Sequence, residues 1–524
     1  MFTSKHPLKQ PRLQRPQLQQ PLLKHCALAL LLATLPFTLV ACGSGGGDAK
    51  DPQAVNPSDT HPGLRPLPEV GETAPDPSEN SSALPAATTS FFFSYDESGS
   101  TASRDLTFAA LADGKAPQRS WGRPYEYLNA ESFDHFDLTM AAPFNVSMGL
   151  YKASTGEIPV GRSVNGSVYA LGINLTGPTL THAERDNVAL TLLVDISGSM
   201  TMPYSDAAHG EIYTRLDVVK EGLFRLLTQL KEGDILSLVT FERSAKTVID
   251  RWVYQDDDNS FFNAIASLKA TGSTNLDRGI DEAYSAANAL FDPEKSNRVI
   301  ILTDANANTG EVDPAVIAQS TVINDAEGIH FSGIGIGEGF DDRFLNELTD
   351  IGKGTYTAMI TPNDAQRIFA DNFMRFLSPA VKNVKFQLTY PQALNQFYSA
   401  AEDISTDAGE VSSINFSYNS EQFFLELFEG AGFLSPELEI SLGISFTDAQ
   451  GEDQQLTITK TLEQLRAVGE DEIKSAVTVT TLAQLVAGQV TCTEVMSSSL
   501  YEQDIRTYTF EKYKQGVKDF CLAN

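Results

Sequence analysis

The chain has 524 residues with 38 Lys and Arg against 68 Asp and Glu, a formal net charge of −30. Such an acidic balance argues against nucleic acid and anionic headgroups as partners drawn in by bulk charge. Zinc-ligand spacings, a P-loop and a Gly-x-Ser-x-Gly elbow are all absent from it, which removes the commonest sequence-readable enzyme classes.

Residues 1–41 read as a leader. Lys5, Lys9, Arg12, Arg15 and Lys24 form a basic start without an acid, followed by an apolar run from Cys26 to Val40. That run is too short for a spanning helix and has the layout of a secretory signal. Leu39-Val40-Ala41-Cys42 resembles the lipobox of bacterial lipoproteins, which implies cleavage before Cys42 and its lipidation. Gly43, where an Asp would signal inner-membrane retention, implies the outer membrane of a Gram-negative cell. Cleavage would take the formal charge from −30 to −35, since five positive charges leave with the leader. Membrane contact is then expected through acyl chains alone. With Cys26 removed and Cys42 lipidated, Cys492 and Cys521 remain as an even pair in an oxidising compartment, so a disulfide is expected.

After Cys42, residues to 90 are a linker rich in Gly, Pro, Ser and acids, unable to bury enough apolar surface to order itself. Residues 91–186 carry strand texture in Phe91–Tyr95, Phe144–Leu150 and Val168–Ile173, with one helical stretch from Ser103 to Ala112. From 187 to 378 the pattern becomes strand–helix alternation. Val188–Val194, Ile235–Phe241, Val299–Thr303 and Ile329–Ile336 are apolar runs, with helical patterns at Leu216–Lys231, Leu276–Phe291, Asp313–Glu327, Asp341–Ile351 and Pro362–Leu377. This predicts an α/β domain with a doubly wound, mostly parallel sheet. Residues 379–454 return to β texture in Val384–Tyr390, Phe423–Phe428 and Leu438–Phe446, and are expected to share one β-domain with 91–186. Residues 455–524 read as a mainly helical tail, with Thr481–Ala487 and Tyr501–Phe520 as candidate helices.

Chemistry concentrates at strand ends. Asp195-Ile196-Ser197-Gly198-Ser199 follows the run Val188–Val194, Thr274 lies in a loop before the helical pattern at Leu276, and Asp304 ends the strand Arg298–Thr303. Ligands of open α/β sheets sit beyond the carboxyl ends of the strands. Asp195, Ser197, Ser199, Thr274 and Asp304 are all oxygen donors, which suit a hard divalent cation. Five protein oxygens leave room for water or an outside ligand. Mg²⁺ suits that count best, with Mn²⁺ and Ca²⁺ as alternatives.

Asp-x-Ser-x-Ser, a loop Thr and a later Thr-Asp resemble the metal-ion-dependent adhesion site of von Willebrand factor type A (VWA) domains, over residues 187–377. The resemblance implies a Rossmann-like fold, direct cation contacts from Ser197, Ser199 and Thr274, and Asp195 and Asp304 acting directly or through water. It also implies a protein partner that presents an Asp or Glu to the cation. The flanking regions look like those of bacterial VWA-domain lipoproteins. Two departures stand out. Ala305 occupies a position usually held by Gly, which would strain a turn that needs positive φ by about 1 kcal/mol. A long loop from Met202 to Arg215 follows the first motif, and its Tyr204, Asp206, His209, Glu211 and Tyr213 are placed to overhang the cation.

Asp304–Gly310 misses the EF-hand pattern, with Thr309 and Ala315 where Gly and Glu are required. Asp256–Asn259 reads as a helix start, and His330 as structural. The expectation is a lipid-anchored envelope protein that binds a partner through its cation and is not an enzyme. A metal-assisted hydrolase and a structural protein with a vestigial site are the alternatives.

Overall fold

The computed structural model describes residues 87–523, without 96–99, 206–211, 256–258, 327, 352–353, 361, 378 and 503–507. The expected leader, Cys42 and nearly all of the linker lie outside the described residues.

Val188–Asp195, Ser296–Thr303 and Ile329–Ile336 are buried at every position, the mark of strands covered on both faces. They sit inside a six-stranded sheet ordered Thr355–Met359, Ile329–Ile336, Ser296–Thr303, Val188–Asp195, Ile235–Phe241, Ala245–Val253. Every neighbouring pair is parallel except the last, where Ala245–Val253 runs antiparallel along the edge. Helices cover both faces. Arg215–Leu227 shares one buried cluster with Leu190, Leu192, Ile300 and Ile334, and Ser260–Ser267 packs beside it through Phe261 on Trp252 and Phe262 on Phe224. Leu276–Leu290, Pro314–Ala326 and Asp342–Ile351 pack on the opposite face with Leu193, Val239, Ile301 and Phe331.

From Val188–Asp195 the chain first fills the side of Ile235–Phe241, then crosses to place Ser296–Thr303 on the other side. The strand order therefore reverses between Val188–Asp195 and Ser296–Thr303, the switch point where such sheets open a crevice. Register pairs Val194 with Leu302, so Asp195 and Thr303 come out side by side.

Outside the α/β segment, antiparallel strands form two further sheets, accompanied by helices. Thr88–Ser94 pairs with Pro379–Pro391, from Thr88 opposite Pro391 to Phe93 opposite Phe386. Ser167–Thr176 pairs with Glu421–Gly430 along its whole length. Strands from before and after the α/β segment thus share both sheets. Phe93 of one sheet meets Phe424 of the other edge-on, with ring centroids 5.0 Å apart.

Several boundaries need correcting. The first described strand, Thr88–Ser94, starts inside the expected linker, where polar Thr88, Thr89 and Ser90 are held by pairing with Pro391, Tyr390 and Thr389. The stretch 91–186 contains a second helix, Pro124–Asn129, started by a proline at its first position. The tail is not helical from 455, since Asp453–Thr461 is a strand paired to Glu439–Thr447. The helix read at Thr481–Ala487 extends back to Glu470, and the last helix runs Tyr508–Ala523. Pro362–Leu377 breaks up into a short α-helix, a π turn and a 3-10 turn. Cys492 and Cys521 form a disulfide. No helix among the described residues is long and apolar enough to cross a membrane.

Candidate metal centre

Asp195 and Asp304 are fully buried, and Ser197 and Thr274 nearly so. Asp195 closes its own turn by accepting from the Ser197 N–H at 2.8 Å through Oδ1. Its Oδ2 accepts from the Thr303 hydroxyl at 2.7 Å, the contact that the side-by-side register sets up. Ser197 Oγ and Ser199 Oγ lie 3.0 Å apart. Burial pushes the Asp195 carboxyl up to about 6, against the hydrogen bonds from Thr303 and Ser197 and helped by the charge of Asp304. A buried carboxylate in that position gains from a nearby cation.

The loop carrying Thr274 is stitched to this turn. Thr271 N–H donates to Ile196 O at 2.7 Å, and Gly198 N–H donates to Gly272 O at 3.1 Å. Gly272 has φ +83°, a left-handed backbone that favours glycine, and a Cβ there would come within 2.0 Å of the Glu242 carboxylate and displace it. Thr274 is held in turn by Asn308. Its N–H donates to Asn308 Oδ1 at 3.0 Å, and its carbonyl accepts from the Asn308 and Thr309 N–H groups at 3.1 Å. Ser273 Oγ, in the same loop, is buried without a hydrogen-bond partner.

Asp304 caps the third segment. Its Oδ1 accepts from the Asn306 N–H at 3.3 Å, and its carbonyl from the Asp341 N–H at 3.1 Å. Its Oδ2 accepts from Arg215 Nη1 at 2.5 Å. Ala305 has φ +54° and is buried, so this turn does demand the left-handed conformation.

The structure therefore gathers Asp195, Ser197 and Ser199 in one turn. It joins that turn to Asp304 through Thr303 and sets the Thr274 loop against it by two backbone hydrogen bonds. The donor chemistry fits a hard cation: two buried carboxylates, three hydroxyl-bearing residues and an unpartnered hydroxyl at Ser273. One carboxylate already holds a cationic group. No cluster of three or more His, Cys, Asp or Glu suited to a metal occurs among the described residues, and the centre would depend on its hydroxyls.

Arg215, Asn308 and Glu242 were not singled out as site residues from the sequence, and Thr303 entered only as the first half of the Thr-Asp motif. Thr303 had a signal, being adjacent to Asp304 at the end of a buried strand. Arg215 had none, since it reaches Asp304 across 89 residues.

The overhanging loop needs revision. Pro203–Ser205 and Ile212–Thr214 form a two-stranded ribbon. Tyr204 is buried in the core beneath it and Tyr213 packs against that core, because aromatic rings gain more there than over a polar centre. Asp206, His209 and Glu211 lie outside the described residues.

Residues 190–306 match the family model described as von Willebrand factor type A domain. The chain is 28% identical over 205 residues to an uncharacterised protein, YfbK, of Escherichia coli, covering 39% of this chain and 34% of that one. It is 24% identical over 265 residues to the inter-alpha-trypsin inhibitor heavy chain H3 of Homo sapiens, covering 49% of this chain and 27% of that one. The chain thus spans about a third of the length of these curated relatives. A solved von Willebrand factor type A structure from Catenulispora acidiphila aligns with 73% of this chain and 89% of its own, at TM-score 0.42 and 15% identity. Within the α/β body, residues 190–306 are thus similar to a von Willebrand factor type A domain.

Proposed function

We propose that the chain is a cell-envelope binding protein whose α/β domain holds a divalent cation, Mg²⁺ in the first instance, and engages an acidic residue of a protein partner through it. Ser197, Ser199 and Thr274 would hold the cation with Asp195 and Asp304, and Cys42 would carry the lipid anchor. A bound cation would supply an electrophilic position for an outside carboxylate. The observation that carries this reading is the pair of fully buried carboxylates, Asp195 and Asp304, at the switch point of a mostly parallel sheet, with the hydroxyls of Ser197 and Thr303 beside Asp195.

Binding fits these residues better than hydrolysis. A hydrolase needs a positioned base beside the cation. Asp195 is committed to Thr303 and Ser197, and Asp304 to Arg215 and Asn306.

Thermal unfolding with added MgCl₂ tests the proposal. At a concentration about 100 times the dissociation constant, binding adds about 2.7 kcal/mol of stability. The melting temperature should rise, and Ser197→Ala should blunt the rise. No shift with Mg²⁺ or Mn²⁺ at millimolar concentration would leave the site vestigial.

A further inference from the structure

Arg215 is the first residue of the helix Arg215–Leu227, where its N–H donates to Met202 O at 3.1 Å. Its side chain is 90% buried and ends on Asp304, with Nη1 2.5 Å from Oδ2. The backbone makes way for it. A Cβ on Gly337, which has φ +80°, would lie 2.9 Å from Arg215 Nε, and one on Gly339 would lie 3.2 Å from Nη2. The turn after Ile329–Ile336 thus lacks side chains where the arginine crosses it.

Charge decides what this arrangement does. Asp195 and Asp304 bring two negative charges, and Arg215 returns one. A divalent cation added to all three leaves a net charge of +1, whereas without the arginine the same cation would leave the centre neutral. Buried charge that is not balanced is costly.

We propose that Arg215 is an internal counter-ion that competes with the divalent cation for Asp304. In the cation's presence it keeps the centre one charge positive, so that an anionic ligand completes it. This rests on the metal-binding reading above and adds to it a rule of order. Cation alone is held weakly, and cation and acidic ligand strengthen each other by the same factor, as linkage requires. Arg215 is on this account a specificity-determining residue, selecting a carboxylate over neutral groups.

The test is calorimetric titration of the full processed chain with MnCl₂, with and without sodium acetate as the carboxylate probe. It compares wild type, Arg215→Gln, Arg215→Lys and Ser197→Ala. Arg215→Gln should bind Mn²⁺ about 10-fold more tightly in acetate-free buffer, within the usual range of coupling between sites. Acetate should tighten Mn²⁺ binding to wild type and have little effect on Arg215→Gln. Should the Gln variant not fold, Arg215→Lys decides. Its compact ammonium cannot form the same planar contact, so it should tighten Mn²⁺ by a smaller factor, about 3-fold on the same coupling scale. Wild type binding Mn²⁺ as tightly as Arg215→Gln, or as Arg215→Lys if only that variant folds, overturns the competition while leaving the metal site in place. Failure of every variant to bind Mn²⁺ overturns both.

Discussion

At the residue scale, Ala305 shows most directly what the centre demands of its backbone. It follows Asp304 at φ +54°, with its N–H donated to Thr303 Oγ1 at 2.9 Å. A left-handed alanine costs roughly 1–2 kcal/mol, but its methyl is buried, and burying one carbon returns about 0.8 kcal/mol. Burial thus offsets part of the cost and leaves about 1 kcal/mol or less, small enough for alanine to stand where glycine is expected. A β-branched side chain has no such offset. Ala305→Val should cost about 2 kcal/mol in urea unfolding, and a valine variant as stable as wild type would show that the turn adapts. The five candidate cation ligands were legible because each follows an apolar strand or precedes a helix, and such positions can be read locally. Arg215 was not legible. Its place depends on how the Pro203–Thr214 ribbon returns the chain and on two glycines more than 120 residues later.

Elements were legible where their burial is uniform and obscure where it is not. Val188–Asp195 and Ile329–Ile336 are buried throughout and mostly apolar, and came out at the expected places. Ala245–Val253 went unread: it is an edge strand with Lys246, Asp250 and Arg251 outward, one face half-exposed, and a register break opposite Leu236–Val239. Charged edges of this kind guard against sheet-to-sheet pairing and hide the strand signal. Glu470–Ala487 was under-read for the opposite reason. It is buried from Ser475 to Val486 with no polar face, and Thr478, Thr480 and Thr481 return their hydroxyls to carbonyls one turn back, so the helical period is masked. The start of this helix rests on a pair of glycines in the sheet beneath it. Gly149 and Gly172 face each other across two strands. A Cβ on Gly172 would come within 2.6 Å of Ile473 and 2.8 Å of Phe423. Gly172→Val should therefore lose about 2 kcal/mol through overpacking, read as a lower urea midpoint at unchanged slope. Unaltered stability would mean that the helix can lift away from the sheet.

Across the whole molecule, β texture on both sides of the α/β segment was legible, but not which strands pair, because partners nearly 300 residues apart leave no local trace. That long-range pairing creates an environment no short window of sequence reveals. Glu426 sits in Glu421–Gly430, a strand flanked by Ser167–Thr176 from before the α/β segment and Leu394–Ser399 from after it. It is fully buried, with Ser399 Oγ at 2.6 Å and Gln396 Nε2 at 3.2 Å as partners. Burial pushes its carboxyl up to about 8, against those two hydrogen bonds. The folded protein therefore keeps a proton there that the unfolded chain releases near the ordinary glutamate range. Stability from this proton is complete below about pH 4.5 and is lost as pH rises through about 8, the reverse of a salt-bridged acid. Between about pH 5.5 and pH 7.5 the loss is about 2 kcal/mol. Glu426→Gln keeps the shape and the partners without the proton, so its stability relative to wild type should grow by that amount over the same window. Parallel unfolding curves for the two proteins across that range would show that Glu426 is ionised in the fold, and that water or a cation reaches the interior between the two sheets.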